Sequence, residues 1–123
     1  MHNLLIRKEE PADYPAVFDL VAKAFEREEL SDHREQFLVE RLRKSAAFIP
    51  ELSMVAEHEG KIVGYILLTK IIIENGSESY DSLALAPVAV LPEFHGRGVG
   101  GRLIIEAHKI ASDLGHKSVV LLG

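Results

Sequence analysis

The sequence predicts an α/β fold, a mixed sheet with helices on both faces, and three observations predict it. Apolar residues recur at helical spacing through Val17, Leu20, Val21, Ala24 and Phe25, and again after a glycine-rich turn at Gly96 to Gly101. Between these segments lies a β-branched run, Lys61 to Glu74, apolar at both parities (Ile62 and Ile66, Val63 and Leu67), as a mid-sheet strand covered on both faces requires. From Leu83 to Leu114 a strand, a glycine turn and an amphipathic helix follow one another, the unit that leads into a parallel strand. At 123 residues the chain is read as one domain, 1–123, able to bury about two-thirds of its unfolded surface.

Each element has its own signal. Leu4 to Arg7 is a first strand, and Pro11-Ala12-Asp13 punctuates and caps the first helix, with Pro15 in its first turn, where a missing N–H costs little. A charged link from Glu26 to Leu30, read as a solvated connection, leads to Asp32 and Glu35 in capping-box spacing. A second helix then carries Phe37, Leu38 and Leu42 on one face. Pro50 closes the helical region. Leu52 to Glu59 and Lys61 to Glu74 form an antiparallel pair turning at Glu59-Gly60-Lys61; Asn75-Gly76 is a turn, and the polar segment to Ser82 is a loop before the strand Leu83 to Val90. The last helix has one stripe, Val99, Leu103, Ala107, Ile110 and Leu114, widened by Ile104 and Ala111. Gly115 ends it, and Ser118 to Leu122 is a parallel last strand.

Composition narrows the function. A formal charge of −5 argues against a general nucleic-acid binder, which needs a basic face. With no cysteine, disulfides, zinc-thiolate sites and thiol nucleophiles are excluded, and a cytoplasmic location is expected. The longest apolar stretch, Ile62 to Ile73, is broken by Gly64, Thr69 and Lys70, so no membrane association is expected. His33, His58, His108 and His116 lack metal-ligand spacing, and no metal is expected.

The chemistry centres on Val88 to Leu103. Pro92 stops the strand, and four glycines within Gly96 to Gly101 remove the Cβ atoms that would keep a pyrophosphate off the unpaired N–H groups of a helix start; Arg97 and Arg102 add charge nearby. The alternative is a flexible loop ahead of a helix. Gly96, Gly98 and Gly101 also satisfy G-x-G-x-x-G, yet the dinucleotide reading wants an acidic residue about twenty positions on, and Val119 to Gly123 offers none. No Gly-Lys-Ser/Thr follows the turn, so a P-loop fails as well.

Over almost its whole length the chain resembles the GNAT family of acetyl-CoA-dependent N-acetyltransferases. Their phosphate motif has Gln or Arg, two residues, Gly, one residue, then Gly or Ala, and His95, Gly98 and Gly100 occupy it here, with His95 in place of Gln or Arg. Val88-Ala89-Val90-Leu91-Pro92 resembles the family's fourth strand and its stop, and the order β-α-α-β-β-β-α-β matches the first part of its fold, with the usual C-terminal helix and strands lacking. The resemblance implies acetyl-CoA as cosubstrate, its pyrophosphate held by Gly96, Arg97, Gly98, Val99, Gly100 and Gly101, and its pantetheine pairing with backbone at Val88, Ala89 and Val90. For His95 two readings stand, a donor to phosphate or a cap on the turn.

It further implies transfer of acetyl to a primary amine of a small molecule or peptide by direct attack. The alternative is an acyl-CoA-binding module, or a truncated copy with little turnover. The family's usual acid, a tyrosine beyond the strand that ends here, has no counterpart, so weak catalysis is expected. Tyr65 and Tyr80 are the alternatives for the acid, and Glu57, Glu59, Glu74 and Asp81 are candidate carboxylates with no base singled out. The bare Val119 to Leu122 edge leads to an expectation of self-association, with a homodimer as one form.

Overall fold

In the computed structural model, which describes residues 2–121, the elements run β1 (Leu4–Lys8), α1 (Tyr14–Phe25), α2 (Glu35–Arg43), β2 (Phe48–His58), β3 (Lys61–Asn75), β4 (Glu78–Val90), α3 (Val99–Asp113) and β5 (Val119–Leu121). Two 3-10 turns, Pro11–Asp13 and Pro92–Phe94, join them. This is the predicted order; Leu122, the end of the predicted last strand, lies outside the described residues. The sheet order is β1-β2-β3-β4-β5, antiparallel except for the parallel β4–β5 pair.

As its double parity requires, β3 is central, and Val63 through Thr69 are all buried. Its two faces have different covers. A Cβ on Gly64 would lie 2.9 Å from Val99 Cγ1 and 3.0 Å from Leu103 Cδ1, so glycine there lets the first turns of α3 settle onto the sheet. Tyr65 points the other way, towards Ser53 and the α1–α2 side. From the helices, Val17, Leu20 and Val21 of α1 and Val99, Leu103, Ala107 and Ala111 of α3 supply the core.

Six local expectations are corrected. Asp13 does not cap α1: its carboxylate accepts from Glu10 N–H (2.7 Å) and binds Arg7 (2.8 Å), closing the 3-10 turn instead. Asp32 does not cap α2 either, because it accepts from Arg34 N–H two residues on (2.9 Å), and Glu35 is drawn to Ser31. Within α2 only Val39 is fully buried; Phe37 sits outside with its ring edge-on to Phe18. Pro50 lies inside β2 rather than ahead of it, exposed, where the register with β3 shifts between Phe48 and Ser53 and no ladder N–H is needed. The segment before Ser82 is strand: a two-residue turn at Gly76 (φ 66°) pairs Asn75 with Glu78 and carries the ladder through exposed polar residues. Leu114 falls beyond Ala111, the last buried residue of α3, and is exposed before Gly115 (φ 91°) ends the helix.

The Arg7–Asp13 pair carries a pH prediction. Hydrogen bonding from Arg7 holds the Asp13 carboxyl below its ordinary value. A lowered folded value means stability that is present above the unfolded carboxyl pKa, about 3.9, and lost as pH falls through the folded one. Asp13→Asn should therefore be less stable than the parent near neutrality, and the gap, followed by urea denaturation, should close as the pH falls below about 4.

Candidate functional site

The site begins with a β-bulge. Ile66 pairs with Val88 and Leu68 with Leu85, so Ala86 and Pro87 together face Leu67 alone. A bulge also suits Pro87, which has no N–H to give the ladder. Its consequence is a change of parity. Leu91 N–H donates to Val63 O (2.9 Å), so antiparallel alternation makes Ala89 the next residue bonded to β3 and turns the amides of Val88 and Val90 to the opposite edge. Before the bulge that edge belongs to β5: Leu83 N–H donates to Ser118 O (3.1 Å), and the described pairing runs from Leu83 to Leu85. Beyond it Val88 and Val90 face outward with backbone groups that an extended ligand can pair.

The edge leads straight to the glycine turn. Gly96 (φ 76°) and Gly98 (φ 79°) take left-handed conformations that L-residues avoid, and Gly98 is the N-cap of α3. No side chain caps that helix; the first intrahelical bond is Arg102 N–H to Gly98 O (3.1 Å), which leaves the N–H groups of Val99, Gly100 and Gly101 without intrahelical partners. A Cβ would meet nothing within 4 Å at Gly96, Gly98 or Gly101, and at Gly100 only Val90 Cγ2, at 3.7 Å. This cradle has the form that holds an anion against backbone.

His95 takes the turn-capping geometry, its Nε2 donating to Val90 O at 3.0 Å. Arg97 lies exposed by the turn with its guanidinium over the Phe94 ring. Arg102 corrects the expectation that it adds to the phosphate charge. From the first turn of α3 it reaches the carbonyl of Leu4 on β1 (3.5 Å), because that face of the helix looks towards the other end of the sheet.

Two cavities sharing Glu28 lie along the route from the bulge to the turn. One, of about 490 Å³, has Lys23, Arg27 and His95 in its lining together with Glu26, Glu28 and Glu93. The other, of about 500 Å³, is walled by Phe25, Leu38, Leu85 and Pro87, with Glu28, Ser31 and Glu35 as its ionisable or hydroxyl side chains. The first lining is thus mixed in charge, and the second has carboxylates without a Lys or Arg among the described residues.

The expected acids and bases are not brought here. Tyr65 is fully buried and bonded to Ser53 (2.6 Å), and burial, followed by the nearby charge of Glu9, raises its phenol above the ordinary value. Tyr80 stands on the exposed β3–β4 arm, eight residues or about 26 Å of strand from Val88. Glu57 binds Arg7 (3.0 Å) at the β1–β2 end, Glu59 forms the β2–β3 turn, and Glu74 and Asp81 lie on the arm. Sequence reasoning missed Glu35 and Glu28 as site residues. Glu28 signals only acidity within a charged link, which surface solvation explains equally well, and Glu35 signals only a helix cap.

The family described as Acetyltransferase (GNAT) family matches residues 14–122. The chain is 40% identical over 90 residues to the uncharacterized N-acetyltransferase YjhQ of Escherichia coli K12, covering 73% of this chain and 50% of that protein. With YhbS of the same organism, likewise an uncharacterized N-acetyltransferase, identity is 30% over 120 residues, covering 98% of this chain and 67% of the relative. This chain therefore spans only half to two-thirds of the length of these relatives. A crystal structure of a GNAT family acetyltransferase from Brucella melitensis in complex with acetyl-CoA superposes with a TM-score of 0.89 at 35% identity, covering 100% of this chain and 77% of that one.

Proposed function

The chain belongs to the GNAT acetyltransferase family, and from that premise we propose that it moves an acetyl group from acetyl-CoA to a primary amine by direct attack. The observation that carries this reading is the outward-turned backbone of Val88 and Val90 running into the uncapped N–H groups of Val99 to Gly101. An extended amide chain ending in a pyrophosphate fits such a track: the chain adds to the strand edge, and the anion meets bare N–H groups and a helix dipole. The acetyl-CoA relative gives the same reading independent support.

In this arrangement the glycines hold the pyrophosphate, His95 holds the turn through Val90 O, and the exposed Arg97 supplies positive charge beside it. Acetyl-CoA supplies the activated acetyl thioester. The amine gives up a proton, its nitrogen bonds to the acetyl carbon, the carbon–sulfur bond breaks, and CoA leaves as the thiol. Negative charge that develops on the carbonyl oxygen is met by a backbone N–H of Val88 or Val90, fixed in direction by the bulge.

Ligand binding to the folded state alone gives the test. CoA at about a hundred times its dissociation constant should stabilise the fold by about 2.7 kcal/mol, raising the thermal midpoint by several degrees. A flat thermal profile of the folded protein at millimolar CoA overturns the reading. A thiol-release assay with a range of amines then separates an acetyltransferase from a binding module.

A further inference from the structure

The arm that β3 and β4 extend past the rest of the sheet has an outer edge complementary to itself, and we propose that a second copy of this chain pairs there, antiparallel, about a two-fold axis at Ile73.

Backbone parity singles out that edge. β2 first meets β3 at Phe48, opposite Thr69, and β5 meets β4 only from Leu83 on, so from Lys70 to Ser82 the arm is a two-stranded ribbon among the described residues. A ribbon of that kind is marginally stable in water by itself. Lys70 N–H donates outward to Ala47 O at 2.9 Å. Alternation turns the N–H and C=O of Ile72 and Glu74 to the same side, without a backbone partner among the described residues, while Ile71 and Ile73 bond to β4. Reversal about Ile73 sets Ile72 opposite Glu74 of the second copy, and Glu74 opposite its Ile72, so each pair exchanges both N–H···O bonds. The second copy turns back at Gly76 (φ 66°) as it comes level with Lys70, where Ala47 already occupies the edge.

The side chains agree with this register. Ile73 stands opposite Tyr80 across the arm, so pairing lines up Tyr80 and Ile73 of one copy with Ile73 and Tyr80 of the other in a single apolar row. In the single chain Tyr80 is 52% exposed and Ile72 67%. Proteins blunt bare edges with charges, prolines or bulges, and Ile71-Ile72-Ile73 has none of these. Lys70 and Glu74 share the other face. Reversal brings Lys70 diagonally across from Glu74 of the second copy, about 7 Å along the strand and about 4.8 Å across, within reach of an ion pair. The arm lies at the far end of β4 from Val88, so pairing leaves the proposed acetyl-CoA track open.

Light scattering coupled to size exclusion, from low to high micromolar concentration, tests this. The parent should pass from monomer to dimer, and its thermal midpoint should rise with concentration. Ile72→Pro removes an outward N–H and no bond within the arm. It should weaken dimerisation about a hundredfold or more and keep CoA affinity within about twofold. Glu74→Lys should weaken dimerisation about fivefold or more at low salt, and adding Lys70→Glu should restore it, since the swapped pair is again of opposite charge.

Should Ile72→Pro fail to fold, amide hydrogen exchange of the parent replaces it: the Ile72 and Glu74 amides should gain protection as the dimer forms. A parent that stays monomeric at high micromolar concentration, or that forms only larger aggregates, would overturn the proposal. So would a dimer that survives Ile72→Pro, which would put the contact elsewhere, the β5 edge included. Unprotected Ile72 and Glu74 amides in the dimer, or a double variant no better than Glu74→Lys, would overturn it as well.

Discussion

Replacing Gly100 by valine should cost about a hundredfold or more in affinity for CoA, about 2.7 kcal/mol, while the protein stays folded. The two halves of this expectation rest on different observations. Gly100 has ordinary helical backbone in the first turn of α3, so a side chain brings no left-handed strain, and its Cβ would make a normal 3.7 Å contact with Val90 Cγ2. In a helix, valine is also no worse than glycine by intrinsic preference. The same side chain nevertheless stands between the outward edge of β4 and the free N–H groups of α3, where the pyrophosphate is proposed to lie.

Gly98→Val is a poorer probe, since at φ 79° it strains the helix cap whatever binds there. Arg97→Ala should only weaken binding, and more at low salt than at high, because the exposed charge is screened. Calorimetric CoA titration beside a thermal melt of each variant checks all of this. A Gly100→Val protein that bound CoA like the parent would remove the cradle.

Some of this site can be read from the chain and some cannot, for a physical reason. The glycine turn, the double-sided β3 and the α3 stripe announce themselves because each signal is contained in a few consecutive residues. The parity change on β4 is different: it depends on which β3 residue faces Ala86 and Pro87, a matter of pairing between distant segments. Pro87 was a visible clue, since a proline inside a strand has to sit at an edge or a bulge.

Glu35 shows the opposite failure. Its spacing from Asp32 is a sound local capping signal, but Ser31 and the wall of β4 decide its surroundings, and neither enters a helix-start pattern. The same holds for Glu9 and Arg43. They look like surface charges until the fold brings them together across 34 residues.

Breaking that pair should give the largest loss of stability. Arg43 Nε and Nη2 donate to the two oxygens of Glu9, each at 2.9 Å, and its guanidinium lies over the Tyr14 ring at 3.9 Å. The Ser53 hydroxyl donates to the same carboxylate and pairs with Tyr65 OH, so one polar chain ties β1, β2, β3 and the end of α2. With Glu9 6% exposed, removing one partner strands a charge in the interior. Burial opposes the Arg43 charge, and the hydrogen bonds and negative charge of Glu9 more than offset it, moving its pKa up.

Arg43→Ala should therefore cost about 3–5 kcal/mol, since an unpaired buried carboxylate remains. At roughly 4 °C per kcal/mol for a domain of this size, that is a midpoint lower by about 12–20 °C. Replacing both members by leucine should cost much less, because the desolvation penalty goes with the charges and Ser53 and Tyr65 still have each other. Thermal melts of the single and double variants decide it: if the double is as unstable as Arg43→Ala, packing rather than charge pairing accounts for the loss.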